Sequence, residues 1–392
     1  MRPIYLDSHA STPIDPRVLQ VMHEALESAY GNPHSDDHFF GWTAGSRVDI
    51  ARKQIAELIG ADPDEIIFTS GATEANNLAL LGFARGAVSE RSVNKKSRNH
   101  IIVSAIEHKC VLGAATVLEQ DGWKMSILPV NRNGVVDLQE LSHMISAETA
   151  LVSIMAVNNE IGTIQPINSV ANICHNHGAV LHTDAAQAPL ATEIDVVEQE
   201  IDLLSLSAHK MHGPKGIGAL YIKRELQSKI VPLMFGGGQQ LGIRPGTLPT
   251  PLCAGFGYAA ELVTNSDRKA QWTKTSNLRN NLLERLQIEI PECCLNGNLS
   301  DRHPGNLNVR FTGIDASRLI GKLQPNIAIS TGSACTTGIP EPSHVLTAIG
   351  LSLNQAEESI RIGLDRFTNE SELETATSMI TAAAKECYTS VA

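Results

Sequence analysis

Between about residues 60 and 225, short apolar runs alternate with helical stretches, and that order constrains the fold more than any other feature. "EIIFTS" precedes a helix opened by "GATEANNLALLG", and "HIIVSAI" precedes "HKCVLGAATVLEQ". "KMSILPV" and "ALVSIMAVNN" follow, then a helix near 168–177, then "AVLHTDAAQ", "IDLLSLS" and "GALYIK". The runs are short and apolar, and "IDLLSLS" is free of breakers, so they read as buried strands. Continuous apolar strands interleaved with helices give an α/β fold with a largely parallel sheet covered on both faces.

At 392 residues the chain is too long for one small core, so two units are expected. A glycine-rich break, "FGGGQQLGIRPGTLPTP" (235–251), precedes one helix predicted from about Leu252 to Lys269. Beyond it come helix, strand and helix again, as in "GNLNVRFTG" and "ELETATSMITAAAKECY", so 258–392 reads as a second, smaller unit.

Several function classes fall away on charge and patterning. A net charge of −11 disfavours direct binding to nucleic acid, which relies on basic surface. The one basic cluster, "RSVNKKSRN" (91–99), reads as a solvated loop. No apolar run approaches the roughly 18 residues a membrane helix needs, so no membrane role is expected. The start, "MRPIYLDSHASTPIDP", has neither a signal-peptide core nor the look of a transit peptide, which points to the cytoplasm. Seven cysteines without framework spacing fit free thiols in a reducing compartment. "CHNHG" (174–178) reads as a helix C-terminus closed by glycine, not as a metal site, and no metal is expected.

The strand ends carry the chemistry. Ser70-Gly71-Ala72-Thr73 forms a small turn at a helix N-terminus, where free N–H groups and the helix dipole favour a phosphate; a simple cap is the alternative. No Walker A sequence occurs. Asp184 closes the strand of "HTDAAQ", poised against a cationic ligand atom or capping a helix, with Gln187 one helical turn on. Lys210 of "SAHKMHGPKGIG" leaves the next strand beside a tight turn, where α/β proteins place functional groups. Phosphate cradle, carboxylate and amine together are what pyridoxal phosphate requires.

"SAHKMHGPKGIGALY", "HTDAAQ", "SAIEHKCV", "FTSGATEANNLAL" and "VNNEIG" resemble the class V, fold-type-I pyridoxal-phosphate enzymes. More narrowly they are similar to cysteine desulfurases of the IscS/NifS kind, from "YLDSHASTPIDPRV" to about "RIGLDRFT". The resemblance implies a fold-type-I transferase with a mostly parallel seven-stranded sheet in a large domain (16–257). It also implies a smaller α+β domain (1–15 with 258–392) carrying the reactive cysteine. Under it Lys210 would hold the cofactor as a Schiff base, and Asp184 would keep the ring nitrogen protonated. Gln187 would donate to the phenolic oxygen with Asn159 beside it, and His108 would stack on the ring and handle protons. Ala72, Thr73, Ser207 and His209 would hold the phosphate. Thr247 of "RPGTL" would reach the phosphate of a neighbouring subunit, implying a homodimer. Pro245 departs from the family's serine or alanine there and removes a backbone donor.

Cys335 lies in "ISTGSACTTGIPEPSHVL" among glycine, serine and threonine, a composition suited to a reactive thiol on a loop. It matches the first-group desulfurase motif "SSGSACTS", with Thr331 in place of a serine. Arg361, in "ESIRIGLDRF", would bind the α-carboxylate of L-cysteine with help from Asn159. L-alanine would leave, and Cys335 would carry a persulfide to an acceptor protein, for iron–sulfur assembly or for DNA phosphorothioation or other thio-modification. A selenocysteine lyase or class V aminotransferase, and a catalytically weak sulfur-relay scaffold, are the rival readings.

Overall fold

The computed structural model describes residues 3–91, 98–331 and 342–389. Its strands are β1 (Ile4–Tyr5), β2 (Ile66–Thr69), β3 (His100–Ser104), β4 (Lys124–Leu128), β5 (Thr149–Ser153), β6 (Val180–Asp184), β7 (Leu203–Ser207), β8 (Gly218–Ile222), β9 (Cys293–Leu295), β10 (Asn306–Phe311), β11 (Ile327–Ala328) and β12 (Ser359–Gly363). Its α-helices are α1 (Pro16–Ser28), α2 (Phe39–Ile59), α3 (Ala72–Asn77), α4 (Phe83–Arg91), α5 (Lys109–Gln120), α6 (Leu138–Met144), α7 (Ile167–Asn176), α8 (Thr250–Thr264), α9 (Arg268–Glu289), α10 (Ala316–Leu323), α11 (His344–Ala348), α12 (Leu353–Glu357) and α13 (Glu370–Thr389).

Seven strands form the main sheet in the order β2-β8-β7-β6-β5-β3-β4. β8 runs antiparallel to both its neighbours, and every other pairing is parallel. Consequently β2, β3, β5, β6 and β7 all point their C-terminal ends to one edge, where open α/β sheets bind ligands. β2, β3, β5, β7 and β8 are buried at every position, as their unbroken apolar sequences require. One face packs through Phe68, Ile102, Val152 and Leu204 on α2, α7 and α8. The other packs through Ile67, Ile101, Val103 and Leu203 on α5 and the α3–α4 segment.

A separate core gathers Leu282, Leu286, Val309, Phe311, Ile360, Ile380 and Ala384 from α9, α13 and the antiparallel sheet β12-β10-β9. Ile4 and Leu6 belong to this core, because β1 pairs in parallel with β11.

Two local expectations need correction. The helix predicted over 252–269 is two helices: α8 ends at Thr264, and α9 starts at Arg268 with Asp267 accepting from the Ala270 amide at 2.9 Å. Asn265-Ser266-Asp267 favours side-chain bonds to its own backbone over helix continuation, and Ser266 Oγ bonds the Val263 carbonyl at 2.8 Å. Asp184 caps no helix, since residues 185–191 form successive turns. Pro189 disfavours helical backbone at Ala188.

Gly218 is the tightest join in the main sheet. It pairs with Thr69 on one side and Ser207 on the other. A Cβ there would lie 2.5 Å from the Leu206 carbonyl oxygen and 2.7 Å from Gly71 Cα. Both obstacles are backbone, so Gly218→Ala must separate the strands. It is expected to lower unfolding free energy by about 1–3 kcal/mol in urea titration, the usual cost of overpacking. A change below about 0.5 kcal/mol would contradict this packing.

Candidate active site

Five connections leave the sheet edge and converge on one cavity of about 560 Å³. After β2 comes Ser70–Glu74, where Gly71 has φ +150°, a conformation open to glycine. Gly71 is the N-cap of α3, so the N–H groups of its first turn, at Ala72 and Thr73, have no intrahelical partner. After β3 comes His108, after β5 Asn159 and Glu160, after β6 Asp184 and Gln187, and after β7 Ser207, His209 and Lys210. Arg361 of β12 and His344 of α11 close the far wall.

Of the residues singled out from sequence, Ala72, Thr73, His108, Asn159, Asp184, Gln187, Ser207, His209, Lys210 and Arg361 all line this cavity. Thr247 does not: it is exposed on its own loop, which Arg244 moors to Glu74 through a 2.8 Å ion pair. Cys335 lies outside the described residues, as does the basic run at 92–97. Among the described residues, no cluster of metal-binding side chains occurs and six cysteines are free.

Lys210 Nζ donates to the carbonyls of His9 and, at 3.0 Å, Ala10. Burial, with the Arg361 charge behind it, lowers its pKa from 10.5 to about 8, against the opposing pull of Asp184 and Asp7. Its nucleophilic form is therefore accessible near neutrality. Asp184 is 5% exposed and accepts from Asn76 Nδ2 at 2.7 Å and the Ala186 amide at 2.9 Å. An anion held so deep suits a cationic ring nitrogen. Gln187 Nε2 donates to the His9 carbonyl at 2.9 Å.

His108 caps α5: Nδ1 accepts from the Cys110 amide at 3.2 Å. A backbone N–H can only donate, so the neutral ring carries its proton on Nε2. Burial lowers the pKa of His108, outweighing the nearby Asp184 charge, and favours that neutral donor form. Burial, with Lys210 and Lys215 nearby, takes His209 down to about 4, leaving it a neutral donor as well. Arg361 is 4% exposed; its guanidinium bonds Asp7 at 2.8 Å and the Asn159 carbonyl at 3.1 Å. Nε of Arg361 is buried without a partner.

Sequence reasoning missed His9, Asn76, Cys110, Glu107 and His344 around this cavity. Asn76 follows Thr73 by three residues on one helix face, a spacing that could have exposed it. His9 carries no such sign, because it arrives from a distant segment.

Residues 4–375 match the family model described as aminotransferase class-V. The chain belongs to that family. It is 48% identical over 379 residues to a cysteine desulfurase IscS of Rickettsia typhi, covering 96% of this chain and 90% of that one. Among solved structures, a NifS-like protein superposes with a TM-score of 0.89 at 34% identity, covering 98% and 99% of the two chains. A structure titled SspA in complex with cysteine gives 0.79 at 39% identity, covering 93% and 100%. The fold is accordingly the fold-type-I arrangement expected from the sequence.

The family is pyridoxal-phosphate-dependent, and the residues present fit that group. An amine of lowered pKa, a buried carboxylate held by Asn76, a glycine turn at a helix N-terminus and neutral histidine donors suit its aldehyde, ring nitrogen and phosphate. An aldehyde condenses only with a neutral amine, so pyridoxal phosphate uptake through Lys210 would need its neutral form. The uptake rate, followed by absorbance, should rise with pH and level off above about 8. Arg361→Gln removes a positive neighbour, favours the charged amine and should move that midpoint upward. A wild-type midpoint near the ordinary lysine value of 10.5 would contradict the burial of Lys210.

Proposed function

We propose that the chain is a cysteine desulfurase, converting L-cysteine to L-alanine with a persulfide left on Cys335 for an acceptor protein. The observation that carries this is the convergence of Lys210, Asp184 and Arg361 on one cavity in a chain similar to desulfurases over nearly its full length. The described chain stops at Thr331 and resumes at Pro342, and both flanks sit at the cavity. Ser330 pairs with Arg361 across a β-bridge, Ser343 Oγ bonds Glu160, and His344 lines the wall. Cys335 belongs to the stretch between them.

Lys210, Asp184, Gln187, His108, Ala72, Thr73, Ser207 and His209 would hold the cofactor. Bound pyridoxal phosphate supplies an electron sink that stabilises negative charge beside the substrate's amino group. Arg361 fixes the substrate carboxylate, with Asn159 beside it. The Lys210 amine takes the Cα proton, a task its lowered pKa suits. His108 donates from Nε2. The Cys335 thiolate attacks the substrate sulfur: an S–S bond forms, the Cβ–S bond breaks, and the electron pair goes to Cβ, which gains a proton and becomes a methyl group. Cysteine plus thiol thus yields alanine plus persulfide with no outside oxidant.

The active form we infer is a homodimer in which Thr247 serves the partner's cavity. Leu26, Tyr30, Phe39, Phe40 and Trp42 of α1, α2 and their connection are exposed large apolar side chains, and Phe40 contacts both Tyr30 and Phe39. Tyr30 and Phe40 stack at 5.2 Å. Such a surface is more than a monomer ordinarily leaves in water. Two 16–257 units would carry the cofactor, with 1–15 and 258–392 forming the smaller unit.

Two experiments test this reading. Cys335→Ala should abolish alanine and sulfide formation while keeping the cofactor's visible absorbance, whereas Lys210→Ala should lose that absorbance. Undiminished desulfuration by Cys335→Ala would overturn the persulfide role of Cys335. Phe39→Glu with Trp42→Glu should turn a dimer into a monomer in sedimentation velocity; a dimer that survives both changes places the contact elsewhere.

A further inference from the structure

Cys110 follows His108 by two residues and lines the same cavity. Its Sγ lies 3.0 Å from His108 Nδ1 and 3.2 Å from Asn76 Nδ2. Nδ1 is already a bare acceptor for the Cys110 amide, so the thiol is the donor in the first contact. Asn76 Nδ2 can only donate, so sulfur is the acceptor in the second. The same amide nitrogen gives its other proton to Asp184 Oδ2 at 2.7 Å, and Asn76 is fully buried. Thr73, in the turn assigned to the phosphate, lies near enough to the sulfur to favour its thiolate. One thiol therefore touches the residue assigned to the ring face, reaches the residue assigned to the ring nitrogen through Asn76, and meets the phosphate turn.

We propose that Cys110 and Asn76 are positioning residues: a hydrogen-bonded bridge that sets His108, Asp184 and Thr73 relative to one another around the bound cofactor. The proposal rests on reading those three residues as cofactor contacts. It also assigns Cys110 a role opposite to that of Cys335. Burial, reinforced by the Asp184 charge, pushes its thiol up to about 12, so it keeps its proton and acts as a donor, not a nucleophile. The bridge helps fix the Nε2–H form of His108 and limits the rotation of Asp184. Neither effect requires Cys110 to touch the substrate.

The test compares holoenzymes carrying Cys110→Ala, Cys110→Ser and Asn76→Ala with the wild type. The readouts are the pH midpoint of the cofactor's visible band and separate values of kcat and KM for L-cysteine. Cys110→Ala should shift that midpoint and lower kcat about 5- to 10-fold, about the worth of one hydrogen bond, while KM stays within about twofold. Cys110→Ser retains a donor and should return most of both. Asn76→Ala, which leaves the thiol in place, should shift the midpoint in the direction expected for a less firmly held Asp184. Wild-type midpoint and kcat in Cys110→Ala would overturn the bridge. Should the alanine variants fail to fold, alkylation of the wild-type protein decides: iodoacetamide at pH 8 should spare Cys110, and labelling as fast as a free thiol in water would overturn its donor role. A wild-type apoprotein that takes up no pyridoxal phosphate would remove the underlying reading instead, and the bridge with it.

Discussion

Gly218 stands between two turns, and the rest of the site depends on how closely it lets them approach. Thr69 flanks it on one side and Ser207 on the other, so the turn at Ser70–Thr73 and the turn at Ser207–Lys210 leave the sheet one strand apart. β8 runs antiparallel to both, so its first residue, Gly218, lies at the edge where β2 and β7 end. The contact with Gly71 is backbone against backbone. Under the proposed roles, the phosphate turn at α3 and the Lys210 amine would be held apart by a spacing the sheet sets. Rigid elements place reacting groups better than loops do.

Electrostatics do the rest within that frame. Lys210 and Arg361 repel one another across the cavity, while Asp184 and Asp7 lie close enough to offset them. Ion pairs this buried contribute little net stability once desolvation is counted. Their consequence is a set of groups whose protonation is displaced from ordinary values in chemically useful directions. The amine titrates near neutrality, and the two nearby imidazoles stay uncharged. Glu107, fully buried beneath His108, is pushed up to about 8 by burial, although Ser104 and the Met155 amide bond its Oε1. A neutral carboxyl there spares the cavity a second deep anion beside Asp184.

Much of this was legible in the sequence because strands buried on both faces leave unbroken apolar runs, and functional groups follow where those runs stop. Lys210, Asp184, His108 and the Ser70–Thr73 turn each sit within four residues of a strand end. What escaped has a different origin. The break between α8 and α9 turns on local side-chain bonding at Asn265–Asp267, which competes with helix propensity by margins too small to read from composition. Asn76 and Cys110 resemble ordinary helix residues until α3 and α5 are set side by side. His9 comes from a segment that ends some two hundred residues before Lys210, and only the tertiary fold lays its carbonyl against the amine.

The N-terminal segment bears on how the two cores act together. Ile4 and Leu6 are packed in the smaller core, yet three residues later the His9 carbonyl already receives Lys210 and Gln187 over the main sheet. Asp7 lies between, bonded to Arg361 and accepting from Ser330. Arg361, proposed to bind substrate, and Lys210, proposed to hold the cofactor, therefore contact one short stretch, residues 7–10, from opposite ends. A carboxylate that competes with Asp7 for the guanidinium must alter the contacts of a segment whose next carbonyls hold the lysine amine. Under the proposed roles, occupancy at the substrate end and the freedom of the Lys210 amine would be coupled through this backbone stretch.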